Sequence, residues 1–164
     1  AIMSYQYMSE GTIFFYLIIY LITTFGVFSV ILNLRTSEGE ITLLTGLNGL
    51  KTSSRSKAIS MLVFLFSLAG IPPFAGFFAK FFILSASINE GFYILSVIAV
   101  ISSVIAAFYY LSVIKNMFFN ELETELLLDN NRLSSFIFIS SAIIITLFFF
   151  YPDPLINLVD SLFK

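Results

Sequence analysis

Three long stretches of this 164-residue chain contain no Asp, Glu, Lys or Arg, and this constrains its fold more than any other feature. They cover residues 11–34, 91–114 and 133–152. A helix needs about 20 mainly apolar residues to cross the roughly 30 Å hydrocarbon core of a bilayer. Each stretch is long enough, so the chain is predicted to be an all-α integral membrane protein. We place three of its spans at about residues 11–33, 92–114 and 134–151.

A fourth apolar segment is too long for one straight span. Between Lys57 and Glu90 the only charged residue is Lys80. A continuous helix there would be about 48 Å long at 1.5 Å per residue. The segment contains Gly70-Ile71-Pro72-Pro73, and prolines remove backbone donors and disfavour helix in the residue before them. We therefore predict a discontinuous second span over residues 58–89, with half-helices at about 58–69 and 74–89, buried against other helices.

Composition excludes several functional classes. The chain is 59% apolar and 11% charged, whereas soluble domains carry about 25% charged residues. It has no cysteine and no histidine, which excludes disulfides, thiolate and imidazole metal sites and histidine catalysis. Eight basic and ten acidic residues leave no basic surface for nucleic acid. Residues 1–164 are predicted to form a single membrane domain that contacts lipid and holds no redox cofactor.

The basic residues predict the orientation of the four spans. Most of them lie in the two loops that share one side of the membrane, and the other side has only Lys164. The positive-inside rule therefore places both loops inside and both termini outside. Residues 152–164 follow as an amphipathic tail, which is expected to lie on the membrane surface. The basic residues of the two inside loops are Arg35, Lys51, Arg55, Lys57, Lys115 and Arg132.

Lys80 is the first candidate for function. A lysine at the bilayer centre costs about 2.5–3.5 kcal/mol on insertion scales, so such residues usually line a polar path or pair with an acid. The break at Gly70, Pro72 and Pro73 supplies free carbonyl groups and room for water nearby. We predict that Lys80 is a proton relay supported by this break. The alternative is a packing kink, with a lysine that reaches the membrane surface near Glu90.

Hydroxyl-bearing side chains are weaker candidates. Ser67, Tyr109 and Tyr110 are candidates for a hydrogen-bonded proton path. The alternatives are an interfacial aromatic belt for the tyrosines and bonds to the serine's own helix. The same two interpretations are open for Thr23, Thr24 and Ser85. The small residues Ser102, Ser103, Ala106 and Ala107 favour close helix packing.

The segment Ser67–Phe81, with its break followed by Gly76 and Lys80, resembles the broken-helix motif of the antiporter-like membrane subunits of respiratory complex I. Related cation/proton antiporters share this motif. Flanking segments resemble the subunit 2 branch of the family, called subunit N in bacteria. They are Tyr20–Phe28, Asn48–Leu50, Tyr109–Leu111 and Tyr151–Leu155. The resemblance covers essentially the whole chain and implies the C-terminal part of an inverted-repeat fold.

The resemblance also implies a function. Lys80 takes the position of a lysine in the chain of charged residues that moves protons, with Gly70, Pro72, Pro73 and Gly76 supporting the broken helix. The implied function is that of a membrane-arm subunit of proton-pumping NADH:ubiquinone oxidoreductase. The chain would belong to this enzyme without redox chemistry of its own. NADH, FMN, iron–sulfur clusters and ubiquinone would belong to other subunits.

The family's first repeat has no counterpart in these residues. Either these residues are a fragment of a longer chain, or a separate chain carries the N-terminal part of subunit 2. We expect the separate chain as a partner, beside other membrane-arm subunits. The expected location is the mitochondrial inner membrane, with both termini on the intermembrane-space side. Two alternatives stay open: a fragment of a multi-subunit cation/proton antiporter, and a purely structural membrane subunit.

Overall fold

The computed structural model describes residues 2–36, 39–40, 44–121, 126–128, 132–148 and 150. Helices make up most of the described residues, and a 3-10 turn at Leu44–Leu47 precedes the second helix. The tail predicted at residues 152–164 lies outside the described residues. The helices are α1 (Ile2–Ile31), α2 (Leu50–Ser53), α3 (Arg55–Ala69), α4 (Ala75–Asn89), α5 (Tyr93–Phe119) and α6 (Arg132–Leu147).

The predicted helix break at Gly70–Pro73 is confirmed, because α3 ends one residue before it and α4 begins two residues after it. Gly70 adopts φ +80°, which favours glycine. Its N–H donates to the Ser67 carbonyl at 3.0 Å, and the Ile71 N–H donates to the Phe66 carbonyl at 3.0 Å. These two bonds form the Schellman pattern that closes helices. Gly70 thus ends α3, and the two prolines keep the chain from continuing it.

The break divides the hydrophobic core into two clusters. The first joins α3 to α1, α5 and α6 around the fully buried Phe64. The second joins α4 to α1 and α6 around Ile19. Other buried members of the first cluster are Val30, Leu34, Leu47, Leu50, Ala58, Met61, Leu65, Ile114, Met117 and Phe138. Those of the second are Phe15, Ala75, Ala79, Ile145 and Phe148. Each half of the broken span therefore packs into its own hydrophobic cluster, and these contacts hold the break in place from both sides.

A polar cluster ties α1 to α3 and α6 at one end of the bundle. Ser29 Oγ donates to the Ser134 carbonyl at 3.0 Å. Asn33 Nδ2 donates to the Ser29 carbonyl at 2.6 Å and also to Ser134 Oγ. The buried Lys57 donates from Nζ to the Asn33 carbonyl at 3.1 Å. The C-terminal end of α1 is thus fixed by hydrogen bonds to two neighbouring helices.

In the described part of the chain, three short strands link the loop after α1 to the loop after α5. They are β1 (Leu34–Thr36), β2 (Gly39–Glu40) and β3 (Leu126–Leu128). β1 lies in the middle and pairs antiparallel with both others, with Leu34 opposite Leu128. This sheet was not predicted from the sequence. It fixes the loop after α1 against the loop after α5 without altering the helical character of the fold.

Two helices in the described part of the chain are long and apolar enough to cross a membrane, namely Gly11–Ile31 within α1 and all of α5. α4 and α6 are apolar but have only 15 and 16 residues. α1 begins at Ile2, earlier than the predicted span at residue 11, and α5 continues to Phe119 rather than ending near 114. Charge-free stretches therefore locate the apolar parts of these helices but underestimate their full length.

Candidate functional site

Lys80 lies on α4 and reaches back to the helix break. Its Nζ donates to the carbonyl oxygen of Leu68 at 2.7 Å. In an uninterrupted helix this carbonyl would accept the N–H of residue 72, but Pro72 has none. The lysine therefore replaces the donor that the proline removes. The side chain points toward the break and not toward Glu90 at the far end of α4, as expected for side chains that lean toward the helix N-terminus.

The surroundings of the ammonium group suit a cation. Leu68 is one of the last residues of α3, and the carbonyl groups of a helix C-terminus carry partial negative charge. Lys80 itself is half-buried. A charged donor also makes a stronger hydrogen bond to a carbonyl than a neutral donor does. The site thus offers a partly enclosed position at which a positive charge is held by backbone.

Ser67 and Gly76 set the spacing of the two half-helices. Ser67 Oγ accepts a hydrogen bond from the Gly76 N–H at 3.0 Å, and Ser67 is 1% exposed. Gly76 lies in the first turn of α4, whose N–H groups have no partner within their own helix. A Cβ atom added at Gly76 would lie 2.6 Å from Ser67 Oγ, which is closer than real contacts allow. Glycine at this position is therefore a condition for the close approach of α3 and α4.

One cavity of about 220 Å³ lies beside the break, between α1, α3, α4 and α5. A water molecule occupies roughly 30 Å³ in the liquid, so the cavity has room for several. Lys80 lines it together with hydroxyl-bearing side chains from three helices. These are Tyr16, Tyr20 and Thr23 of α1, Ser67 of α3, and Ser102, Ser103 and Tyr110 of α5. Such a lining can hold a hydrogen-bonded chain of water that ends at the ammonium group.

A second cavity, of about 460 Å³, runs between α1, α4 and α5 from Lys80 to Glu90. It shares Tyr16, Lys80 and Ser103 with the first cavity. Lys80 is therefore the charged residue at the junction of two cavities that extend toward opposite ends of the bundle. This arrangement can receive a proton from one side and pass it to the other.

The structure brings most of the predicted site residues together. Gly70 packs against Lys80, since a Cβ atom there would lie 3.1 Å from Lys80 Cδ. Tyr110 lines the first cavity with Ser67, as a path residue would. Tyr109 is 63% exposed and lines neither cavity, so the structure does not bring it to the site. Thr23 lines the first cavity, and its hydroxyl donates to the Ile19 carbonyl of its own helix at 2.7 Å.

Sequence reasoning missed two parts of the site. Tyr16 lines both cavities. Tyr20 follows Tyr16 by four residues and Thr23 follows Tyr20 by three, so the three polar side chains lie on one face of α1. This spacing could have identified Tyr16 from the sequence. The break was expected to leave carbonyl groups free, but the sequence did not single out the Leu68 carbonyl, which lacks a helix N–H partner because Gly70 ends α3 and Pro72 supplies no N–H. Only the folded geometry shows that Lys80 meets this carbonyl.

Comparison with known proteins identifies the family. Residues 1–106 match the model of the NADH:quinone oxidoreductase/Mrp antiporter transmembrane family. The chain is 42% identical over 142 residues to NADH-quinone oxidoreductase subunit N of Rhodospirillum rubrum, which covers 87% of the chain and 29% of that relative. It is 37% identical over 147 residues to subunit N of Pelagibacter ubique, covering 90% of the chain and 31% of the relative. The chain thus spans about a third of the length of the curated relatives it matches.

A solved structure shows the same fold. The chain superposes with a TM-score of 0.76 on a chain of respiratory complex I from Thermus thermophilus with bound aureothin. The match covers 87% of this chain and 33% of that one, at 24% identity. The fold, the helix break and the matches over most of the sequence agree. The chain therefore belongs to the NADH:quinone oxidoreductase/Mrp antiporter transmembrane family.

Proposed function

We propose that the chain is part of a membrane-arm subunit of a proton-pumping NADH:quinone oxidoreductase, and that Lys80 carries the proton. The observation on which the proposal depends is the position of Lys80 Nζ, 2.7 Å from the Leu68 carbonyl at the junction of two cavities. The family and the relatives named NADH-quinone oxidoreductase subunit N support the enzyme complex. NADH, FMN, iron–sulfur clusters and quinone belong to other subunits in this proposal.

The mechanism uses proton exchange at Lys80 Nζ. A proton arrives through the first cavity, along water held by Ser67, Ser103 and Tyr110, from a lysine in the part of the fold outside these residues. The charged form is stabilised by the bond to Leu68 and by the partial negative charge of the α3 C-terminus. A second ammonium group that forms nearby repels this charge and promotes release into the second cavity. Electron transfer elsewhere in the complex drives the cycle.

The finer placement is also a proposal. We place four spans in the mitochondrial inner membrane, with both termini on the intermembrane-space side. The spans cover about residues 11–33, 58–89, 92–114 and 134–151. A separate chain supplies the N-terminal part of the subunit, and other membrane-arm subunits flank it. Mass spectrometry of the native assembly tests this, since it should contain NADH dehydrogenase subunits and a second chain with the first repeat. A single longer polypeptide that contains both parts would contradict the separate chain.

The role of Lys80 is tested with two matched variants in membrane vesicles that contain the assembled complex. Lys80→Met removes the exchangeable proton, whereas Lys80→Arg keeps a positive charge and a donor for Leu68 but does not release its proton. A relay predicts that both variants lose pumping, while NADH oxidation with a water-soluble acceptor shows intact electron input. Normal pumping in Lys80→Arg would mean that the charge is structural. Normal pumping in both variants would support a purely structural subunit.

A second candidate function is cation/proton exchange, because the matching family also includes Mrp antiporters. The relatives at 37–42% identity are named as oxidoreductase subunits, which favours the first candidate. The two functions differ in their driving force. Proton movement that depends on a sodium gradient and not on NADH oxidation would support the antiporter, and the reverse would support the oxidoreductase.

A further inference from the structure

We infer that protons leave Lys80 along the seam between α4 and α5, through the hydroxyl pair Ser87–Ser96, and reach solvent at Glu90. This inference rests on the proposed function and adds an exit route to it. The seam runs along the second cavity, of about 460 Å³. Its lining includes Lys80, Ser87, Glu90 and Ser96. Three observations support the route: the alignment of polar residues on facing helices, the hydrogen bond that joins them, and the volume between them.

Polar residues are aligned on the face of α4 that borders the cavity. Ser87 follows Lys80 by seven residues and Glu90 follows Ser87 by three, so all three lie on one side of the helix. Small and hydroxyl-bearing residues of α5, Ser96, Ala99 and Ser103, occur at the same intervals of three and four and line the same cavity. Most other residues of the N-terminal half of α5 are large, apolar and exposed. The small polar stripe therefore borders the cavity opposite α4, with Ser96 buried, Ser103 half-buried and Ala99 exposed at its open side.

The two serines are bonded to each other across the seam. Ser96 Oγ donates to Ser87 Oγ at 2.9 Å, and it also lies 3.0 Å from the Phe92 carbonyl. Ser96 is buried, with 4% of its surface exposed. A hydroxyl both donates and accepts, so a pair of hydroxyls can accept a proton from one water molecule and donate one to the next. A serine needed only to satisfy its own helix would bond to Phe92 and would not require Ser87 opposite it.

The distances match a path made of water and hydroxyl groups. Along the axis of α4, Lys80 and Ser87 are separated by about 10 Å and Ser87 and Glu90 by about 4.5 Å, at 1.5 Å per residue. Hydrogen-bonded oxygen atoms are about 2.8 Å apart, so about three water molecules span this axial distance. The path from Nζ is longer and needs more water, because the Lys80 side chain reaches back toward the break. The cavity of about 460 Å³ has room for this water. Glu90 is exposed at the end of α4 and lines the cavity, so the water chain reaches solvent there.

Two matched pairs of variants test the route in vesicles with the assembled complex. Ser87→Val and Ser87→Thr have nearly the same shape, but only Thr keeps the hydroxyl. We expect Ser87→Val to lower the rate of proton pumping by about tenfold or more, since positioned proton-transfer groups contribute roughly 10²–10⁴-fold to the rate of proton transfer. Ser87→Thr should pump normally. Ala99→Leu fills the cavity and should act like Ser87→Val, whereas Ala107→Leu, on the same helix but outside both cavities, should not.

The outcomes separate this inference from the proposed function. Both the exit route and the function of Lys80 are supported if Ser87→Thr pumps normally and three variants lose pumping. Those three are Lys80→Met, Ser87→Val and Ala99→Leu. Loss in Lys80→Met with normal pumping in Ser87→Val and Ala99→Leu overturns the exit route and leaves the function of Lys80 intact. Equal loss in Ser87→Val and Ser87→Thr also overturns it, because the hydroxyl would then be irrelevant. If Ser87→Val fails to assemble, the two alanine variants replace it. Loss of pumping in Ala99→Leu with normal pumping in Ala107→Leu supports the exit route, and normal pumping in Ala99→Leu overturns it.

Discussion

The contact between Gly76 and Ser67 can be tested with a single added methyl group. In Gly76→Ala the new Cβ atom would meet the backbone carbonyl of Ser67 first and its Oγ, at 2.6 Å, next. Backbone at a closed helix end cannot move aside as a flexible side chain does. The two half-helices must therefore separate, and the Gly76 N–H loses its bond to Ser67.

The magnitude follows from three terms. Overpacking a close contact costs about 1–3 kcal/mol. Losing the bond between Gly76 and Ser67 costs about 1 kcal/mol. Alanine in place of glycine within a helix returns about 1 kcal/mol of backbone entropy and propensity. The net cost is about 1–3 kcal/mol, or roughly five- to 150-fold in the equilibrium between packed and separated half-helices.

The assay is the midpoint temperature at which the detergent-extracted complex dissociates, together with proton pumping in vesicles. Gly76→Ala should lower both. Ser67→Ala alone removes only the hydroxyl, and combining it with Gly76→Ala should restore little, because the carbonyl contact remains. Gly91→Ala serves as a control, since nothing lies within 4 Å of its added Cβ and only the strain at φ +85° remains. Full rescue of Gly76→Ala by Ser67→Ala would refute the close approach of the two backbones.

Three further substitutions test the packing around the site. Gly70→Ala forces an L-residue into φ +80° and crowds Lys80 Cδ, which costs about 1–2 kcal/mol. We expect a lower dissociation midpoint and weaker pumping. Ser134→Ala removes the hydroxyl that bonds to Ser29 and Asn33, so the dissociation midpoint should fall by the equivalent of about 1–2 kcal/mol while pumping by the surviving complex stays normal. Phe64→Ala empties a fully buried position and should cost about 3–5 kcal/mol, measured as the amount of assembled complex on native gels.

The sequence was informative about the break because local chemistry determines it. Prolines lack the N–H that a helix needs, and a glycine accepts the positive φ that closes the preceding helix, so neither effect depends on distant residues. Helix bounds were predicted less well. Glu10 lies inside α1 and Lys115 inside α5, since a charged residue ends an apolar stretch without ending a helix. The strands were not predicted, because Leu34 meets Leu128 only through pairing across 94 positions of sequence.

The central residues of the candidate site were predicted, although Tyr16 was missed and Tyr109 lies outside the site, and the connections between the residues were not predicted. Lys80 was identified by the cost of a charge at membrane depth, and Gly70 and Pro72 by their effect on the helix. Their relation depends on the folded backbone: Pro72 leaves the Leu68 carbonyl without an N–H partner, and Lys80 supplies the replacement donor from 12 residues further along the chain. The break and the lysine are therefore parts of one arrangement. In the proposed relay, a lysine that gives up its proton loses the positive charge that strengthens this bond, so the contact between α4 and the end of α3 would weaken with each proton released.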